Sequence, residues 1–124
     1  MTRPITFTLF FSLLFLATNT AMAVGGCSEP SPPQIPEGST ATMEEMIETQ
    51  TAVKAYQTSM ANYRSCLDNY MGSIKDAVRE GDSEAGVGYV NANKERNFSI
   101  DKEEKVAAEF NLAIRAYKSV NPSE

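Results

Sequence analysis

Histidine and tryptophan are absent from this 124-residue chain. Without imidazole there is no His-based general base, and the common His-ligated zinc and di-iron sites are excluded. Cysteine is limited to Cys27 and Cys66, a spacing far from the C-x-x-C of a redox-active pair. Basic residues are outnumbered, 11 Lys+Arg against 16 Asp+Glu. That balance opposes nucleic-acid phosphates and anionic lipid headgroups as main partners. No Gly-rich phosphate loop, calcium loop, haem-attachment sequence or serine-nucleophile elbow occurs. The expectation is a non-enzymatic protein with no cofactor, no metal and no nucleic-acid partner.

Long hydrophobic runs are also missing, with one exception at the N-terminus. Arg3 precedes an apolar stretch from Ile5 to Ala17, and no other charge occurs before Glu29. The stretch has the length of a signal-peptide core and falls short of the ~20 residues that cross a bilayer as a helix. Ala21-Met22-Ala23 then supplies an A-x-A cleavage pattern. Residues 1–23 therefore read as a secretion signal cleaved after Ala23, which makes the protein periplasmic or secreted. A second processing route competes, because Val24-Gly25-Gly26-Cys27 resembles a lipobox. Lipidation at Cys27 would make a membrane-anchored lipoprotein, and membrane contact is expected only in that case. Cys27 stands ten residues beyond the apolar run, whereas a lipobox normally abuts it, which favours cleavage after Ala23. Cleavage leaves 101 residues, enough for one domain, and removes Arg3, giving a formal charge of −6.

Residues 24–42 form a Pro-rich segment with Pro30, Pro32, Pro33 and Pro36 within seven positions. Fixed φ angles favour an extended polyproline-type arm, and Ile35 is its natural apolar anchor. Export places Cys27 and Cys66 where disulfides persist. Paired, they would close a loop of about 40 residues, which loop-closure entropy values at about 4 kcal/mol. If Cys27 carries lipid instead, Cys66 is free and the arm is a stalk.

The remainder reads as two helices. Thr42-Met43-Glu44-Glu45 has the form of a capping box. From there Met46, Val53, Met60, Leu67 and Ile74 recur every seven residues, and Thr49, Tyr56, Tyr63, Tyr70 and Ala77 form the second series of a heptad pattern. Helix 1 is expected over about 43–80, with Gly81-Asp82-Ser83 as its stop. Helix 2 is expected to end at 120 and to begin anywhere from 84 to 99, since Gly86 and Gly88 interrupt its start. Its stripe reads Ile100, Glu103, Val106, Phe110, Ala113, Tyr117 and Val120. The predicted fold is all-α: an antiparallel hairpin of two long helices over 43–120, with the extended Pro-rich arm docked by a disulfide. The arm is long enough to fold back along helix 1 and reach Cys66, over a track of small residues at Ala52, Ser59 and Ser73, with Ile35 near Tyr56 to Met60.

Three groups of residues remain as candidate surfaces. Glu44, Glu45 and Glu48, and likewise Asp101, Glu103 and Glu104, read as solvated helix starts, where negative charge is favoured. Asn97-Phe98-Ser99 is a glycosylation sequon that matters only in a eukaryotic secretory pathway. Tyr56, Tyr63 and Tyr70, with Tyr117 on the other helix, form an interaction strip: core rings with hydroxyls at the rim, or a platform for a small apolar or aromatic ligand. Apolar stripes covered only partly by two helices and an arm point to an unidentified protein partner, or to a homodimer with a four-helix core.

The chain also resembles a loosely characterised group of small exported proteins of Gram-negative bacteria. The likeness is carried by Cys27, Pro30, Pro33, Ile35-Pro36 and Gly38, by Met43-Glu44-Glu45-Met46, and by Val53-Lys54-Ala55-Tyr56 with Tyr63 and Cys66. It continues in Val106-Ala107-Ala108-Glu109-Phe110-Asn111 and Tyr117-Lys118. The resemblance implies a periplasmic location, paired cysteines and a long second helix. It implies no activity.

Overall fold

The computed structural model describes residues 23–123; the expected signal, apart from Ala23, lies outside them. A 3-10 turn at Val24–Gly26 leads into an extended arm, followed by helix α1, Met43–Arg79, and helix α2, Ser83–Val120. The described residues contain no strand. The two helices form the expected all-α hairpin, and Cys27 is disulfide-bonded to Cys66. A sulfur bonded to Cys66 has no valence left for a lipid thioether, so the docked arm and the lipidated stalk are mutually exclusive.

Local chemistry sets each boundary. Thr42 caps α1 reciprocally: its hydroxyl accepts from the Glu45 N–H at 3.2 Å, and the Glu45 carboxylate accepts from the Thr42 N–H at 2.7 Å. At the other end Gly81 takes φ +87°. Its N–H donates to the Val78 carbonyl, and the Asp82 N–H donates to the Ala77 carbonyl, the paired bonds of a Schellman motif. Asp82 then caps the next helix, its carboxylate accepting from the Ala85 N–H at 2.9 Å. One residue thus closes α1 and opens α2, which fixes a tight turn.

The start of α2 corrects the doubt about Gly86 and Gly88: the helix runs unbroken from Ser83. A cap at Asp82 and packing against α1 outweigh the roughly 1 kcal/mol that each glycine costs in a helix interior. Gly88 also has a packing reason, since a Cβ there would collide with the Tyr70 hydroxyl. With α2 beginning at Ser83, Asp101, Glu103 and Glu104 lie mid-helix rather than at an N-terminus. Glu103 is used across the hairpin, pairing with Arg64 at 2.6 Å, while Arg96 pairs with Asp68 at 2.7 Å.

On α1 the predicted heptad series is buried from Met46 through Leu67. Above it Met71 replaces Tyr70 and Ile74, which are only half-buried. A straight helix drifts about 20° per heptad, so a seven-residue series rotates out of the interface over four heptads and its neighbour takes over. On α2 Val106, Phe110, Ala113 and Tyr117 of the expected stripe are buried, but its two ends are not. Ile100 is 39% exposed while Ser99 is fully buried, and Val120 is exposed. The true series is Ala92, Ser99, Val106 and Ala113, every seven residues, flanked by Phe110 and Tyr117. Ala92, Val106 and Ala113 share one core with Met46, Val53, Met60, Leu67 and the tyrosines of α1. The buried Ser99 hydroxyl donates to the Arg96 carbonyl at 2.6 Å, so it leaves no unpaired group.

The arm runs antiparallel to α1 and parallel to α2. Cys27 is tied to Cys66, Glu29 pairs with Lys102 at 2.6 Å, and Gly38 is buried against the backbone of Ala113. Ile35 is half-buried and packs against the core. The expected track of small residues is not the seat of the arm: Ala52, Ser59 and Ser73 are exposed. The arm lies in the groove between the helices, where both of its flanks lose water. The outer track would offer contact on one side only.

Candidate functional site

A cleft of about 770 Å³ opens where the arm, α1 and α2 meet. The arm supplies Cys27, Glu29, Pro30 and Pro32; α1 supplies Tyr56 and Tyr63; α2 supplies Glu95, Lys102, Lys105, Val106 and Glu109. Heptad spacing explains the arrangement. Tyr56 and Tyr63 are successive positions of one series, so both rings rise from α1 on the side covered by the arm. Glu95, Lys102 and Glu109 are likewise seven apart on α2 and flank the buried Val106.

The two tyrosines are 5% and 6% exposed. Neither hydroxyl has a hydrogen-bond partner within the described residues, and no buried side-chain polar atom there is left unsatisfied. The hydroxyls therefore keep contact with the cleft while their rings stay in the core. Burial raises both phenol pKa values above the ordinary 10.0, and nearby carboxylates, Glu29 at Tyr56 and Glu95 at Tyr63, push the same way. Both hydroxyls are protonated at neutral pH, able to donate and accept. The hydrogen bond to Glu29 raises the pKa of Lys102 above its ordinary value, against the opposing effect of burial.

The four tyrosines do not form one strip. Tyr56 and Tyr63 share the cleft. Tyr70 lies beyond it, its ring beneath Gly25 and its hydroxyl against Gly88. Tyr117 belongs to a second groove of about 350 Å³, at the end of the hairpin formed by the start of α1 and the end of α2. There it lies with Met43, Met46, Ile47, Phe110 and Ile114, and Lys118 forms part of the wall. Antiparallel helices put residue 117 beside residue 46, about five turns from residue 63, so no rotation of α2 could unite the set. Sequence reasoning missed the charged wall of Glu29, Glu95, Lys102, Lys105 and Glu109. The seven-residue spacing of 95, 102 and 109 would have signalled it once the register of α2 was known.

Among the described residues, no group of three His, Cys, Asp or Glu side chains is placed to hold a metal ion. No described helix is long and apolar enough to cross a membrane. Comparison with protein-family models, curated proteins and solved structures gives no match to this chain.

Proposed function

We propose that this is a non-enzymatic helical assembly module of the Gram-negative periplasm, and that its partner is a second copy of itself. One observation carries the reading: the arm covers one side of the hairpin and leaves the groove at its free end open. Ile47 on the edge of that groove is 56% exposed and Met43 is 42% exposed, a ridge of large apolar side chains beside an apolar trough. Ridge and trough on one patch are self-complementary under a two-fold axis. Charge agrees with this pairing. Glu44 and Glu48 flank the ridge, Lys118 lines the trough, and none of the three has an ion-pair partner among the described residues. An N-terminus that reads as an export signal, and a disulfide of the kind that persists in oxidising compartments, support the periplasm.

Sedimentation of the oxidised protein tests the reading. A reversible dimer is expected, with Ile47→Glu monomeric at unchanged helix content; a monomer at every concentration overturns it. Intact mass decides the processing. An N-terminus at Val24 with two hydrogens fewer than the dithiol supports export and pairing, whereas an acylated Cys27 supports an envelope lipoprotein.

A further inference from the structure

The cleft under the arm is separate from the dimer groove, and its chemistry asks for an occupant of one kind. Its cations are already answered: Lys102 by Glu29 at 2.6 Å, and Lys105 by Glu109 at 3.8 Å. Glu95 is not. It is half-buried on the α2 wall, close enough to Tyr63 and Lys102 to act on both electrostatically, yet it has no hydrogen bond or ion pair among the described residues. Beside it stand two tyrosines, each more than nine-tenths buried, whose hydroxyls have no protein partner and reach the cleft. Pro30, Pro32 and Val106 add apolar surface. The space is within the 300–1,000 Å³ usual for small-molecule sites.

We infer that the cleft between the arm and the hairpin binds a small organic ammonium with an apolar or aromatic body. The ammonium pairs with the Glu95 carboxylate and donates to the Tyr63 hydroxyl. The apolar body lies along Val106 and the arm prolines. An anion of the same shape meets an unanswered carboxylate and is rejected. The net charge of the five ionised groups lining the cleft, three Glu and two Lys, is −1, which has the same sense. The disulfide and the Glu29–Lys102 pair hold the arm wall in place, so the site is formed before the ligand arrives.

The test uses the full oxidised protein and three probes of matched body: 2-phenylethylammonium, 2-phenylethanol and phenylacetate. Calorimetry and amide-resolved NMR titration are expected to show saturable binding of the ammonium, with shifts centred on residues 56, 63 and 95. The alcohol and the acid should bind about tenfold or more weakly. Glu95→Gln, nearly isosteric and on a half-exposed position, should remove that preference. Glu104→Gln, an exposed carboxylate on α2 outside the cleft lining, should keep it. No saturable ammonium binding, equal binding of the three probes, or an unchanged preference in Glu95→Gln overturns the proposal.

Discussion

Gly38 lies flush against the backbone of Ala113 where the arm crosses α2, so close that a Cβ at residue 38 would overlap the Ala113 carbonyl. The contact is backbone against backbone, and neither partner can turn aside by changing rotamer. It sets how deep the arm sits and so defines one end of its path.

Gly38→Ala should therefore lift the lower arm off α2. Overpacking of this kind costs about 1–3 kcal/mol, to be read from urea unfolding of the oxidised protein. Hydrogen exchange should quicken at residues 37–41, whose turn bonds from the Thr40 and Ala41 N–H groups to the Glu37 carbonyl depend on that seat. A change of less than about 0.5 kcal/mol would show that the arm is not held there.

Removing the disulfide acts on the unfolded chain more than on the contacts. Cys27 and Cys66 are 39 residues apart, so the Cys27→Ser/Cys66→Ser double variant should lose about 4 kcal/mol. The hairpin keeps its own core, so helical circular dichroism at low temperature should change little. Protease sensitivity should rise in the arm alone. Loss of all helix on mild reduction would mean that the arm is part of the hairpin's core.

Alkaline pH should loosen the cleft before the rest of the molecule. Tyr56, Tyr63 and Lys102 all have folded pKa values raised above the unfolded ones: the tyrosines first by burial, the lysine first by its hydrogen bond to Glu29. Each thus contributes stability that is complete below its unfolded pKa and is lost as pH rises through the folded value. The melting temperature should fall above the ordinary values of 10.0 and 10.5. Tyrosinate absorbance should show Tyr56 and Tyr63 titrating late. Tyr56→Phe with Tyr63→Phe should remove the late step and flatten the alkaline decline.

The helix starts make a prediction at acid pH. The backbone and side-chain hydrogen bonds of Thr42 lower the pKa of Glu45 below its ordinary 4.5. A depressed carboxylate stabilises above its unfolded pKa and loses that contribution as pH falls through the folded one. Protection of the first-turn amides of α1, measured against their intrinsic exchange rates, should therefore fall below pH 4.5. Glu45→Gln keeps the reach to the Thr42 N–H without titrating, and should show a flatter profile. At the other cap, Asp82→Ala should cost about 1 kcal/mol, and Gly81→Ala should add strain from the positive φ.

The elements that depend on neighbouring residues were legible in the chain itself. The Thr42 to Glu45 box, the Gly81-Asp82 stop and the heptads of α1 each rest on side chains within a few positions of one another, and helix geometry turns that spacing into a face. The length of the arm and the position of Cys66 likewise showed that the two cysteines could meet, because both are distances along the chain; the pairing itself is seen in the structure. What the tertiary structure alone decided is where faces from distant segments meet. The rest of the α2 face turned on small residues, Ala92 and Ser99, which carry almost no hydrophobic signal and become core only through packing against α1. The arm chose the groove between the helices over the small track on α1, since only there does it lose water on both sides. Those two choices separate Tyr117 from Tyr56 and Tyr63, and bring Glu29 of the arm and Glu95 and Lys102 of α2 around the same two hydroxyls. Such a meeting is a property of the packed register, and no local spacing encodes it.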